Sequence, residues 1–398
     1  MSNKQVRDDV EAERDALVGL CARLVAAHSV TPPGDTRAVI HVARSWLESR
    51  GIECEEHTLT TDKPNLVAVI RGSTPGPQLV FNGHLDTMDP GDETQWTFPI
   101  FELTRIDGRL YGLGMGNMKG GAAALCLAAS LLSERVDEFS GSVVLTLVSD
   151  EVRFGEHGSA HLIETLPWLH GDAVISAEGS GWMTLANAEK GVAWIDLEAV
   201  GPAGHASSIE RGTSAVARLS SAIGRLDELN DWYVTPPSEL ASALHQADHP
   251  GRRVAFSVGI LEAGEARSMI ARRAHARADV RLPPGLSLDE LMERVGTALL
   301  GTGVAANLVR GWEATWTADT DPIVDTVASV ITEVRGRPVM TVRHPASDLM
   351  RWRHLGVPGL CYGPQPTFSA GIDDYAVEDD VVDCAIVYVL SALRFNAR

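Results

Sequence analysis

Basic charge is scarce in this chain of 398 residues. Its 34 lysines and arginines stand against 53 aspartates and glutamates, a formal net charge of -19. That balance argues against nucleic acid and against anionic membrane surfaces as partners. Cysteine is scarce as well: Cys21, Cys54, Cys126, Cys361 and Cys384 are odd in number, scattered and set mostly in apolar runs. They read as buried free thiols of a reducing compartment rather than a disulfide frame or a zinc cluster. No apolar run approaches the length of a membrane span. The opening MSNKQVRDDVEAERD is polar and has no apolar segment of a signal peptide. A cytoplasmic protein without a membrane partner is the expectation. Hydrophobic content of 44% and charged content of 22% suit a soluble globular fold. The length allows two domains, or one with a large insertion.

Periodicity then organises the chain. Residues 10–28 place Leu17, Leu20, Cys21, Leu24 and Val25 at helical spacing, and a second helix is expected over 37–50. Short strands follow over 56–60, 65–70 and 78–81. The Ala-rich run 119–132 predicts a helix with glycine at its mouth, and the β-branched and leucine run 143–148 predicts a buried strand, with another over 173–176. Alternating strands and helices imply a mostly parallel sheet covered on both faces. From about 188 to 312 the order becomes strand 192–200, loop 201–212, helix 213–229, strands 254–261 and 274–281, helix 287–299 and strand 305–309, a βαββαβ unit. The α/β pattern resumes with helix 322–335, strand 357–362 and helix 378–394. The predicted organisation is a discontinuous catalytic domain, 1–187 and 313–398, with 188–312 inserted.

Two segments carry the chemistry. The apolar run Phe81-Asn82-Gly83 ends in His84-Leu85-Asp86, and thirty residues on the Gly-rich turn Gly112-Leu113-Gly114-Met115-Gly116-Asn117 enters the Ala-rich helix. They read as two walls of a metal-type site on strand-end loops. His84 and Asp86 share one face of an extended segment, so the carboxylate is placed to orient the imidazole and raise its basicity. Asn117 stands where a helix beginning near Lys119 takes its N-cap.

Further marks extend over nearly the whole chain: Asp150-Glu151, Glu178, Gly204-His205-Ala206, Asp279-Val280-Arg281, and Ser347-Asp348 before Gly363-Pro364. In order and spacing they resemble the aminoacylase, acetylornithine deacetylase, succinyl-diaminopimelate desuccinylase and carboxypeptidase G family of dinuclear zinc hydrolases. The resemblance implies a zinc-peptidase-like α/β domain with an inserted lid that commonly dimerises. It implies His84 and Glu178 as ligands of a first metal and Glu151 as the proton shuttle between water and the leaving amine. It also implies His205 as an oxyanion donor and Arg281 as the receiver of a substrate carboxylate. A rival alignment makes Glu151 the ligand and Asp150 the base.

The departures from that pattern concentrate on one metal. Asn117 replaces the carboxylate that would bridge two ions, and a neutral amide offers one oxygen to one ion. Val152, or Arg153 by a one-residue shift, and Ala370 replace the ligands of the second ion, and no histidine follows His354. Ser268 replaces the asparagine that accompanies the lid arginine. Glu156, His157 and His161 lie just past Glu151 and are expected to face solvent. The chain is therefore expected to hold at most one divalent metal, zinc or another, on His84, Glu178 and Asn117.

Three readings follow. In the first, the protein hydrolyses the amide of a small carboxylate-bearing N-acyl amino acid or peptide-like substrate, with Glu151, Asp86 and His205 catalytic and Arg281, Ser268 and Asn117 binding substrate. In the second, the same cavity works without metal as an isomerase, lyase, cyclase or acyl transferase, with Glu151 as base. In the third, a non-catalytic relative binds small molecules. Retention of Glu151, His205 and Arg281, none needed by the fold, argues against the third. The resemblance also implies a homodimer through 188–312. Lys119 and Asp348 are expected either to support the site from behind its ligands or to be structural, and Trp182, Trp312, Trp316 and Phe368 to serve either pocket or core.

Overall fold

The structure, a computed structural model, describes residues 3–366 and 371–397. It forms two compact units: Met1–Asn187 with Trp316–Thr341 and Ser347–Arg398, and Ala188–Thr315 with Val342–Ala346. The second unit thus also takes up a short segment far down the chain.

The larger unit is built on a mixed sheet whose central order is Gly359–Cys361, Ala173–Ser176, Thr74–His84, Ser140–Val148, Pro64–Arg71 and Cys54–Thr58. The first four strands pair in parallel, and the last two join antiparallel at the margin. The continuous apolar runs are explained by burial on both faces. Leu79, Phe81, Val143, Leu145 and Leu147 pack in the main core, whereas Val80, Val144, Val148 and Val174 pack in a second cluster on the other side. Helices Gly120–Ser133 and Glu378–Phe395 fill the main core. In the first, every residue from Gly120 to Leu132 is buried, and its alanines let sheet and neighbouring helix approach closely.

Three differences from the sequence reading have local causes. Helix Asn3–Ala12 was too polar to signal itself; only Val6 and Val10, one turn apart, are buried. The helix expected over 213–229 is Ala215–Leu226, after which Asp227–Asp231 tightens to a 3₁₀ turn. Asn230 holds that turn by bonding both backbone groups of Phe256, at 2.9 and 3.1 Å. Strand Leu185–Glu189 is wholly buried yet mixes Ala, Asn and Glu, so no strand-like composition marked it.

The smaller unit has an antiparallel sheet in the order Ala255–Ala263, Arg273–Leu282, Gly191–Val200, Val304–Trp312. Ala193, Ile195, Leu197 and Ala199 alternate toward helices Ala215–Leu226 and Leu288–Leu299, as do Ala274, Ala276, Ala278, Val280 and Leu282. The second helix opens on a capping box between Ser287 and Glu290. Strand period two leaves Trp194, Asp196, Arg277, Asp279 and Arg281 on the face away from the helices.

Candidate active site

Strand Thr74–His84 delivers His84 at its end, 1% exposed. The Gly-rich turn Met115–Lys119 approaches it because Gly114 takes φ +87° and the Asp374 carboxylate accepts the N–H groups of Gly114 (2.8 Å) and Gly116 (3.1 Å). A Cβ on Gly116 would lie 2.6 Å from Asp374 Oδ1, so glycine is required there. Asp374 was missed as a site residue; its one signal in the sequence was an acid preceding Tyr375.

Asn117 is not the N-cap of the following helix. That position is Lys119, and Asn117 has extended backbone angles (φ -139°, ψ 97°) that turn its side chain toward His84. Its Nδ2 donates to Glu178 Oε2 at 2.8 Å, which fixes the amide orientation and sets Oδ1 against His84 Nε2 at 3.0 Å. Glu178 Oε1 lies 3.3 Å from Nε2, and Glu151 Oε2 lies 3.7 Å from it. On the other side His84 Nδ1 donates to the Asp86 carbonyl oxygen at 2.9 Å, with Asp86 Oδ1 at 3.4 Å. Asp86 therefore orients the imidazole chiefly through its main chain. Its carboxylate accepts the N–H groups of Glu151 (3.2 Å) and Val152 (3.0 Å) and so positions the loop that carries Glu151.

His84, Asn117, Glu151, Glu178 and Asp86 are thus brought together. Asp348 adds a further buried carboxylate, held by Ser159 Oγ (2.7 Å) and Arg351 Nε (3.0 Å). The pocket is rich in negative charge. Burial, then the neighbouring Glu178, Asp348 and Asp86, raises Glu151 well above the ordinary carboxylate range, against a lowering by His84. Burial alone would lower His84, but Glu151, Asp86 and Glu178 lift it well above an ordinary histidine.

This donor set fits one divalent ion. The nearest donor atoms of His84, Glu151 and Glu178 all lie within 4.8 Å of one another. Ligands at about 2.0–2.2 Å around a tetrahedral ion are separated by roughly 3.3–3.6 Å, close to the 3.0 and 3.3 Å found here from His84 Nε2 to Asn117 Oδ1 and Glu178 Oε1, and Glu151 Oε2 stands beside them at 3.7 Å from Nε2. A second ion does not fit among the described residues: Asn117 is neutral and Val152 is apolar. Thr367, Phe368, Ser369 and Ala370 lie outside the described residues. Asp150 is spent in a close ion pair with Lys63, and His157 bonds Thr60 at 3.2 Å, so neither joins the cluster. Lys119 is buried and donates to the Ala27 carbonyl at 3.2 Å. Trp182 is 69% exposed.

His205, Ser268 and Arg281 belong to the smaller unit. His205 is exposed, and its Nδ1 accepts the Ser207 N–H at 3.2 Å. A ring nitrogen that accepts has no proton of its own, so the neutral imidazole carries its proton on Nε2. Ser268 supports this loop through its carbonyl, which accepts from Ala206 N at 2.8 Å. Arg281 forks onto Asp279 of its own strand, Nε at 2.7 Å and Nη2 at 3.1 Å.

The model of Peptidase family M20/M25/M40 matches residues 80–394. The chain is 31% identical over 339 residues to succinyl-diaminopimelate desuccinylase of Xanthobacter autotrophicus, covering 80% of this chain and 83% of that one. It is 28% identical to acetylornithine deacetylase of Photorhabdus laumondii, covering 69% and 68%. Human carnosine dipeptidase 1 shares its fold, with a TM-score of 0.79 at 15% identity over 100% of this chain and 99% of that one. The chain belongs to peptidase family M20/M25/M40, and with it to the metallopeptidase-like hydrolases of amide bonds.

Proposed function

We propose that the protein cleaves the amide bond of a small, carboxylate-bearing N-acyl amino acid or peptide-like substrate, with at most one divalent metal ion, zinc or another, per chain. The observation that carries this reading is the gathering of Asn117, Glu178 and Glu151 about His84 Nε2, at 3.0, 3.3 and 3.7 Å, while Asn117 and Val152 leave a second ion without charge. An ion held by His84, Glu178 and Asn117 would polarise the scissile carbonyl and acidify water. Glu151 takes the proton of the attacking water and delivers it to the leaving amine, and its raised pKa suits both roles. Asp86 holds Glu151 in place through the backbone of its loop. The Nε2–H of His205 donates to the developing oxyanion, and Ser268 supports that loop. Arg281 receives the substrate carboxylate through Nη1, which is buried without a protein partner among the described residues. Residues 188–312 act as a lid through which the protein forms a homodimer, and the enzyme works in the cytoplasm.

A second reading is favoured by one observation. Both nitrogens of His84 face acceptors, the Asp86 carbonyl and Asn117 Oδ1. That is the pattern of a doubly protonated imidazole in a metal-free proton network, with Glu151 as base for isomerisation, elimination, cyclisation or acyl transfer. Protein purified without added metal separates the two. About one zinc per chain, with hydrolysis of N-acyl amino acids lost to chelator, is expected. Turnover that resists chelator in metal-free protein would replace the first reading with the second.

A further inference from the structure

The loop that carries Glu151 runs from Ser149, just past strand Ser140–Val148, to His157. It is bent tightly on itself. Phe154 N donates to the Glu151 carbonyl at 2.6 Å and Gly155 N to the Asp150 carbonyl at 2.8 Å. Asp150 takes φ +64° and Phe154 φ +50°, left-handed values uncommon for residues other than glycine. Such backbone persists only where its surroundings impose it. A Cβ on Gly155 would collide with the Asp150 carboxylate, so the loop is wrapped around that group.

The imposing contacts come from one short stretch, Thr60 to Asn65, which leads into strand Pro64–Arg71. Asn65 is fully buried and holds both ends of the loop with one amide. Its Oδ1 accepts from Ser149 N at 2.9 Å, and its Nδ2 donates to the His157 carbonyl at 2.7 Å. Ser149 Oγ donates to the Pro64 carbonyl at 2.6 Å, and Thr60 Oγ1 meets His157 Nδ1 at 3.2 Å. Between these ends Lys63 Nζ pairs with Asp150 Oδ1, while Asp150 Oδ2 accepts from His157 N at 3.3 Å. Asp150 is 6% exposed and the Lys63 side chain 17%. A buried carboxylate that loses its cation is costly. Without Lys63 the loop gains by turning Asp150 toward solvent, and Glu151, the next residue, turns with it.

We propose that Lys63 is a positioning residue for Glu151. Its ion pair with Asp150, inside the frame set by Asn65, locks the left-handed turn that presents the Glu151 carboxyl to the pocket. This rests on the role given to Glu151 under the proposed function and goes beyond it, because Lys63 acts at one remove, through Asp150. Misplacing a reacting group by about 1 Å can cost ~10²-fold in rate, so the loss is expected in kcat rather than KM.

The test compares Lys63→Met, Lys63→Arg and Asp150→Asn with the parent, all as full chains. Hydrogen exchange read by mass spectrometry over 149–157 comes first. Faster exchange at the Glu151 and Val152 amides, which Asp86 holds in the parent, is expected in Lys63→Met. Asp150→Asn, which keeps the shape of the side chain, is expected to show the same change should Lys63→Met impair folding. Zinc affinity is expected to match the parent, because His84, Asn117 and Glu178 lie outside the loop. In hydrolysis of an N-acyl amino acid, Lys63→Met is expected to lower kcat about 10–100-fold with KM little changed, and Lys63→Arg to recover most of it. In a Glu151→Gln background Lys63→Met is expected to leave the residual rate unchanged, since the group it positions is gone. Exchange reads the loop without turnover, so failure of the hydrolase reading is told apart from failure of this one. The proposal is overturned if both variants leave the Glu151 and Val152 amides as protected as in the parent, if zinc binding falls along with the rate, or if Lys63→Met lowers the rate equally in both backgrounds.

Discussion

His84 and Lys190 sit in opposite electrostatic settings. Around His84 one imidazole faces Glu151, Glu178, Asp86 and Asp348, all buried. Around Lys190 stand Arg253, Arg281 and two histidines, and Asp279 pairs with Arg281. Each surplus is held by folding against its own repulsion, and each raises or lowers pKa values in the direction that relieves it. A site short of cations attracts a cation or a proton, and a site short of anions attracts an acid. In an acidic protein of net charge -19 the cationic corner stands out the more, because it runs against the field of the whole.

The contrast can be broken most severely at Glu151. Glu151→Gln should lower kcat by ~10²–10⁴-fold, the usual worth of a general base, with melting temperature and metal content little changed. An unaltered rate would remove Glu151 from the mechanism. Because its carboxyl is raised, the acidic limb of kcat/KM should lie above the ordinary carboxylate value of about 4.3; a limb at or below that value would contradict the burial argument.

Removing His205 should cost about 10²–10³-fold in kcat, the scale of one oxyanion donor. Steady-state kinetics of His205→Ala with little change in KM is the expected signature, and a KM effect alone would make it a binding residue.

The cationic corner has a stability signature. His344 is held neutral, with its pKa at about 4 in the folded chain against about 6.5 unfolded. A depressed histidine contributes its full share above the unfolded value and loses it as pH falls toward the folded one. Stability should therefore drop by about 3 kcal/mol between pH ~6.5 and ~4 from this group. In His344→Asn, denaturant unfolding over that range should show a flatter slope, and an unchanged slope would mean that the unfolded protein carries no extra proton there.

The smallest expected effect sharpens the acidic side. Asn117→Asp restores a negative charge between His84 and Glu178 and should tighten binding of a divalent ion about tenfold, ~1.4 kcal/mol. Calorimetry and metal content after dialysis would report it; weaker binding would mean that the Asn117–Glu178 hydrogen bond matters more than the charge.

Much of this was legible along the chain. The runs 143–148 and 173–176 declared strands because burial on two faces demands unbroken apolar sequence, and the structure extends the first to Ser140–Val148 and keeps the second as Ala173–Ser176. His84, Glu151 and Glu178 stood out through the resemblance, which places each at or just past the end of an apolar run. Asn117 was misread as a cap, since local rules see an amide before a helix and not the carboxylate of Glu178 across the pocket. Asp374 was not placed in the site at all, and Asp348 was left between a supporting and a structural role, because the Gly116 N–H and the Ser159 hydroxyl that they hold lie 258 and 189 positions away in sequence.

The sequence by itself determined the class of fold, the alternation that sends residues to one face or the other, and the loss of charge at positions 117 and 152. Those properties depend on the side chain and its near neighbours. Only the tertiary structure decided that Asn117 points its oxygen at His84, that Asp86 grips the loop of Glu151, and that Lys190 stands beside Arg253 and Arg281. Each depends on register between strands distant in sequence, and on distances over which charge and hydrogen bonding act within a few ångströms.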